Sequence, residues 1–200
     1  MRLVIIRHGN TDSNVNHLLD TGHPGAPLND TGLAQAAALA TRLAGEPIEA
    51  VFTSDQTRAM QTGQPLADLL DVPLEPLPGL REIFAGEHDM SPDWSPYVEV
   101  LISWGSDPTN ALPGMENAHD FLGRWQPAID DIAARGHECV AIVSHGAALR
   151  TWVPHASANL TPQMVSTWPM DNTAVIVLEG SAADGWHALS WDGGDLNPAV

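Results

Sequence analysis

Apolar residues gather in short dense runs, and longer segments of helical spacing lie between them. Leu3, Val4, Ile5 and Ile6 form one run that stops at Arg7-His8-Gly9, which predicts a buried strand feeding a glycine loop. Residues 139–143 repeat that form and stop at Ser144-His145-Gly146. Residues 48–53 predict a further strand, and residues 173–178 and 186–191 two late ones. Leu33, Ala36, Ala37, Ala40 and Leu43 sit at helical spacing in an alanine-rich stretch, so residues 33–43 predict a helix opened by Asp30-Thr31-Gly32. A second helix is expected to about residue 70, capped by Ser54 or Asp55 and kinked or broken at Pro65. Residues 117–134 predict a long helix with Phe121, Trp125, Ile129 and Ile132 on one face. Another is expected after Gly146, ending before Pro154.

Residues 10–30, rich in Asn, Asp, Gly and Pro, read as loop. Residues 76–116 are interrupted by six prolines and carry Trp94, Tyr97 and Trp104. They read as a lid-like excursion with one short helix near residues 95–104. Strands alternating with helices predict an α/β fold with a mostly parallel central sheet covered on both faces, a three-layer α/β/α sandwich. The length of 200 residues fits a single domain over residues 1–200.

Composition sharpens the picture. The net charge is −17, and all eight basic residues are Arg. Such a charge repels nucleic acid and anionic membrane surfaces at long range. The apolar run at the N-terminus is too short for a signal peptide or a span, so a soluble, cytoplasmic protein is expected. Cys139, the only cysteine, excludes an internal disulfide and reads as a small buried hydrophobe.

The matched ends of two strands carry the candidate chemistry. Ligands of open α/β sheets bind beyond the carboxyl ends of strands, and each glycine lets backbone approach them closely. One histidine after one strand suggests a structural role, whereas two, each followed by glycine, point to a site. Arg58, about one turn into its helix, presents a planar fork suited to phosphate oxygens. Glu82 opens the excursion. Metal hydrolysis finds little support, because no His-x-His or His-Glu-x-x-His occurs and His137-Glu138 lacks a second histidine. A Walker loop needs a Lys that the chain does not have.

In order along the chain, Arg7-His8-Gly9-Asn10-Thr11 with Asn14, Pro27-Leu28-Asn29-Asp30-Thr31-Gly32, Ser54-Asp55 with Arg58-Ala59, Leu80-Arg81-Glu82-Ile83, and Val143-Ser144-His145-Gly146 resemble the blocks of the histidine phosphatase superfamily, the phosphoglycerate-mutase-like clan. Pro113-Gly114-Met115-Glu116 is a weaker echo. The resemblance implies a phosphoglycerate-mutase-like fold and a phosphatase that uses no metal or other cofactor. His8 would attack phosphorus and become a phosphohistidine. Arg7, Arg58 and His145 would hold the phosphoryl oxygens, helped by Asn14 and by backbone N–H groups near Gly146 and Ala147. Glu82 would protonate the leaving oxygen and then activate water, for which it needs a raised pKa. The implied partners are a small phosphorylated substrate and inorganic phosphate as product; a homodimer is left open.

The chain also departs from the family. Asn10 stands where Glu or Gln is frequent, and Glu87-His88-Asp89-Met90 replaces an aromatic–acid–glycine trio, placing His88 near the pocket mouth. Between Glu82 and Gly123 there is no Arg or Lys, where mutases of the clan bind a second phosphate. Phosphatase is therefore favoured over mutase, and over a non-catalytic phospho-ligand-binding relative because Arg7, His8, Arg58, Glu82 and His145 are all present. The substrate's other end is expected to be neutral or cationic if Trp94, Tyr97 and Trp104 face it; alternatively they fill a small core of their own.

Overall fold

The computed structural model describes residues 1–196. Strand β1 (Arg2–Arg7) lies at the middle of a seven-stranded sheet. It pairs in parallel with β4 (Cys139–Ser144) and antiparallel with β5 (Val175–Ser181). Beyond β4 lie β2 (Ala50–Thr53) and β3 (Leu74–Pro76), both parallel. Beyond β5, antiparallel β6 (Gly185–Trp191) and β7 (Gly194–Asp195) complete the order β3-β2-β4-β1-β5-β6-β7.

Alternation along the buried strands feeds two cores. Val4 and Ile6 of β1, with Ala141 and Val143 of β4, pack under α2 (Asp30–Leu43) and α3 (Thr57–Leu70). Leu3 and Ile5, with Val140 and Ile142, face α4 (Ser95–Ser103), α5 (Ala118–Ala134) and α6 (Gly146–Ala156). Phe121, Trp125, Ile129 and Ile132 are fully buried on one stripe of α5, as the spacing predicts. Cys139 is buried and unpaired.

Several boundaries differ from expectation. Helix α3 starts at Thr57 with Gln56 at the cap position, because Ser54 Oγ turns to the Gln56 N–H and the Asp55 carboxylate is taken by Arg81. Pro65 does not break α3, and Pro154 lies inside α6, which runs on to Ala156. An interior proline costs about 3 kcal/mol. The fully buried Leu66 beside one and Trp152 and Val153 beside the other each contribute about 1.5–3 kcal/mol of burial, which offsets that cost. Within the expected loop of residues 10–30, α1 (Asp12–Val15) forms one turn, closed by a capping box between Thr11 and Asn14. A further short helix, α7 (Pro162–Val165), precedes β5. No helix among the described residues is long and apolar enough to cross a membrane.

Tyr97 and Trp104 are core residues and not lid surface. Both rings are buried in the larger core, and their polar ends donate to the carbonyls of Ile83 and Asn110. Trp94 is partly exposed and ties its indole N–H to the His17 carbonyl.

Candidate active site

The register that pairs Arg7 with Ser144 brings the ends of β1 and β4 together, and the His8 N–H donates to the Ser144 carbonyl at 2.9 Å. The two following histidines therefore leave the sheet side by side, with ring centroids 5.2 Å apart. His8 Nδ1 lies 2.7 Å from the Gly9 carbonyl. A carbonyl can only accept, so this contact assigns the proton to Nδ1 and the lone pair to Nε2. Arg58 Nε donates to that Nε2 at 3.2 Å. Burial, then the charges of Arg58 and Arg7, hold the His8 pKa well below the ordinary imidazole range. The ring is thus held neutral over the physiological range, with its lone pair on Nε2.

His145 is fully buried, and neither ring nitrogen has a hydrogen-bond partner; Arg7 Nε is likewise buried and unpartnered. Burial and the neighbouring Arg58 keep His145 neutral as well. Arg7 is anchored by one donor on the Met170 carbonyl at 2.5 Å. Orphaned buried polar atoms are rare because each forfeits its hydration. Here the one N–H of the neutral His145 ring and Arg7 Nε are left as unused donors near His8, which suits a small anion with several acceptor oxygens.

Glu82 stands at the start of α6. Its carboxylate accepts from the N–H groups of Ile83, Ala147 and Ala148 at 2.7–3.0 Å. Burial raises its pKa, against the opposing pull of those three amides. The Ala147 amide is therefore committed to the acid and not free for phosphate, because the first turn of α6 offers its donors to the nearest carboxylate. Asn14 sits beside the cage, where its side-chain oxygen accepts from Thr11 N–H and from Asn172. His88 turns its Nε2 to the Asp93 carbonyl.

Sequence reasoning missed the residues that aim this machinery. Asp20 accepts from Arg58 through both its carboxylate and its carbonyl, at 3.5 and 2.9 Å, and is itself fixed by Ser13 and by Ala26 N–H. Gly25, at φ +72°, lies so close that a Cβ would stand 2.1 Å from Arg58 Nη1. Buried Gln56 bridges the carbonyls of Thr21 and Gly22 to the Glu82 N–H. Asn172 donates to the His8 carbonyl. None of these lies in a periodic segment, and a loop residue's partner cannot be read from spacing.

A family model, histidine phosphatase superfamily (branch 1), matches residues 3–192. The chain belongs to this superfamily. Among relatives of this histidine phosphatase family member, a PE-PGRS family protein, PE_PGRS11, of Mycobacterium tuberculosis is 33% identical over 97% of the chain; the match spans only 37% of that protein's length. An adenosylcobalamin/alpha-ribazole phosphatase of Salmonella typhimurium is 32% identical, with 84% of each protein covered. The fold is also that of a mycobacterial glucosyl-3-phosphoglycerate phosphatase solved with inorganic phosphate. That structure is similar at a TM-score of 0.78 and 22% identity, over 96% of this chain and 97% of the other.

Proposed function

We propose that residues 1–200 form one catalytic unit, a metal-independent phosphomonoesterase that acts on a small phosphorylated metabolite through a phosphohistidine on His8. The observation that carries this reading is the tautomer of His8: Nδ1 held by the Gly9 carbonyl and Nε2 facing Arg58, with the unpartnered His145 ring alongside. Family membership and phosphatase-named relatives support it.

In the first step, the Nε2 lone pair forms a bond to phosphorus as the bond from phosphorus to the ester oxygen breaks. The Glu82 proton passes to that oxygen, and the alcohol leaves. In the second, water attacks phosphorus, the N–P bond breaks back to Nε2, and Glu82 takes the water's proton. Arg7, Arg58 and His145 hold the non-bridging oxygens throughout, which supplies the charge stabilisation such a transfer needs. Each charge-assisted contact is worth about 1.5–3 kcal/mol.

The test is a rapid-quench labelling experiment with an aryl phosphate. Wild type is expected to give an acid-labile phosphoenzyme and turnover that survives EDTA, and His8→Ala neither. Label persisting in His8→Ala, or turnover lost in EDTA and restored by a divalent ion, overturns the reading.

A further inference from the structure

A cavity of about 390 Å³ lies beside the acid, walled by Thr21, His23, Arg81, Glu82, Phe84 and Arg124. It shares Glu82 with the cage but is not lined by His8, Arg7, Arg58 or His145. We propose that this cavity is the leaving-group subsite and that it takes an uncharged, hydroxyl-bearing alcohol, because both arginines on its wall are already bound to carboxylates. The inference rests on the phosphatase reading above and names the substrate class for it.

A leaving oxygen protonated by Glu82 has the rest of its alcohol extending past Glu82, away from the phosphoryl cage, and this cavity borders Glu82. Two guanidinium groups on one wall would ordinarily mark a second anion site. Neither is free here. Arg124 has five N–H donors, and all five are used: Nε and Nη2 on the two oxygens of Glu116, Nη1 on the carbonyls of Gly79 and Arg81, and Nη2 again on the carbonyl of Glu82. Arg81 grips both oxygens of Asp55, at 2.6 and 2.5 Å.

Two positive charges thus meet two negative ones, Asp55 and Glu116, so a second phosphate or carboxylate finds no uncompensated cation. What remains available is weaker and neutral in character. Arg81 keeps Nη1 for a hydroxyl, and the half-exposed His23 ring lies with its Nε2 3.7 Å from Asp55. The ring of Phe84, 40% exposed, gives an apolar wall. The Thr21 hydroxyl is unavailable, since it donates to Asp89 and accepts from Ala85 N–H. The specificity is built from compensated charge as much as from contacts.

Glycerol 3-phosphate and 3-phosphoglycerate share a carbon skeleton and differ at the far end, hydroxymethyl against carboxylate. Wild type is expected to favour glycerol 3-phosphate in kcat/KM by about tenfold or more, the discrimination of one charged contact. Asp55→Asn, which releases the charge of Arg81, is expected to narrow that gap by about tenfold. Inhibition by inorganic phosphate, measured alongside, reports whether the cage is intact. A wild-type preference for 3-phosphoglycerate overturns the subsite. So does a gap that Asp55→Asn leaves in place while phosphate still inhibits.

If Asp55→Asn fails to fold, Phe84→Ala decides. A raised KM for glycerol 3-phosphate with unaltered phosphate inhibition supports the subsite, and an unaltered KM overturns it. These outcomes touch the subsite alone. A wild-type protein that hydrolyses no phosphomonoester removes the phosphatase reading and the subsite with it.

Discussion

At the scale of single residues, the two histidines are treated differently by the same fold. His8 has both nitrogens engaged, so its tautomer is fixed; His145 has neither engaged and keeps its donor for an incoming group. Their neighbours set a pH profile whose sign can be worked out. The proposed nucleophile must be unprotonated, and burial beside Arg58 and Arg7 lowers the His8 pKa, so the acid limb of kcat/KM lies below the ordinary imidazole range. The proposed acid must carry its proton, and burial raises Glu82, so the basic limb lies above the ordinary carboxylate range. We expect a bell displaced to acid pH. Glu82→Gln is expected to lose the basic limb and to slow alkyl phosphates more than aryl ones, by up to about 10²–10⁴-fold. Steady-state profiles on both substrate types check this; equal slowing of the two removes the acid role.

At the scale of elements, the histidines and Arg58 were legible because they sit at the ends of buried strands or one turn into a helix, where periodicity fixes position. Phe121, Trp125, Ile129 and Ile132 were legible for the same reason, and all are fully buried. The helices running through Pro65 and Pro154 were not, because tertiary burial outweighed a local rule. Nor were Asp20, Gln56 and Asn172, whose roles arise from loops that meet only in the folded chain. The segment around residues 20–26 shows what this means in practice. It lies across the Arg58 guanidinium, where Asp20 accepts from it and Gly25 leaves no room for a Cβ. Gly25→Ala would strain a left-handed backbone by about 1 kcal/mol and push the methyl group into Arg58. We expect kcat/KM to fall by at least about tenfold, a larger loss than that strain alone explains, with a melting temperature lowered by a few degrees. Activity retained alongside a lowered melting temperature would separate this loop from the chemistry.

For the molecule as a whole, two opposing fields act on an anionic ligand. The surface charge of −17 repels it, while Arg7 and Arg58 attract it at short range. Salt screens the first more than the second: the Debye length falls from about 30 Å at 0.01 M to about 8 Å at 0.15 M. We therefore expect kcat/KM for a dianionic phosphomonoester to rise about twofold or more over that range of sodium chloride. A steady fall would show instead that exposed cations guide the encounter. The sheet order has a consequence of another kind. The proposed nucleophile follows the first strand, yet that strand is flanked by β4 and β5, which begin only at Cys139 and Val175. During synthesis on the ribosome, the His8 imidazole is made before His145 and before both strands that flank β1, and it waits for them until translation has passed β5. A product terminated before β4 would carry His8 but have neither flanking strand nor His145 to enclose it.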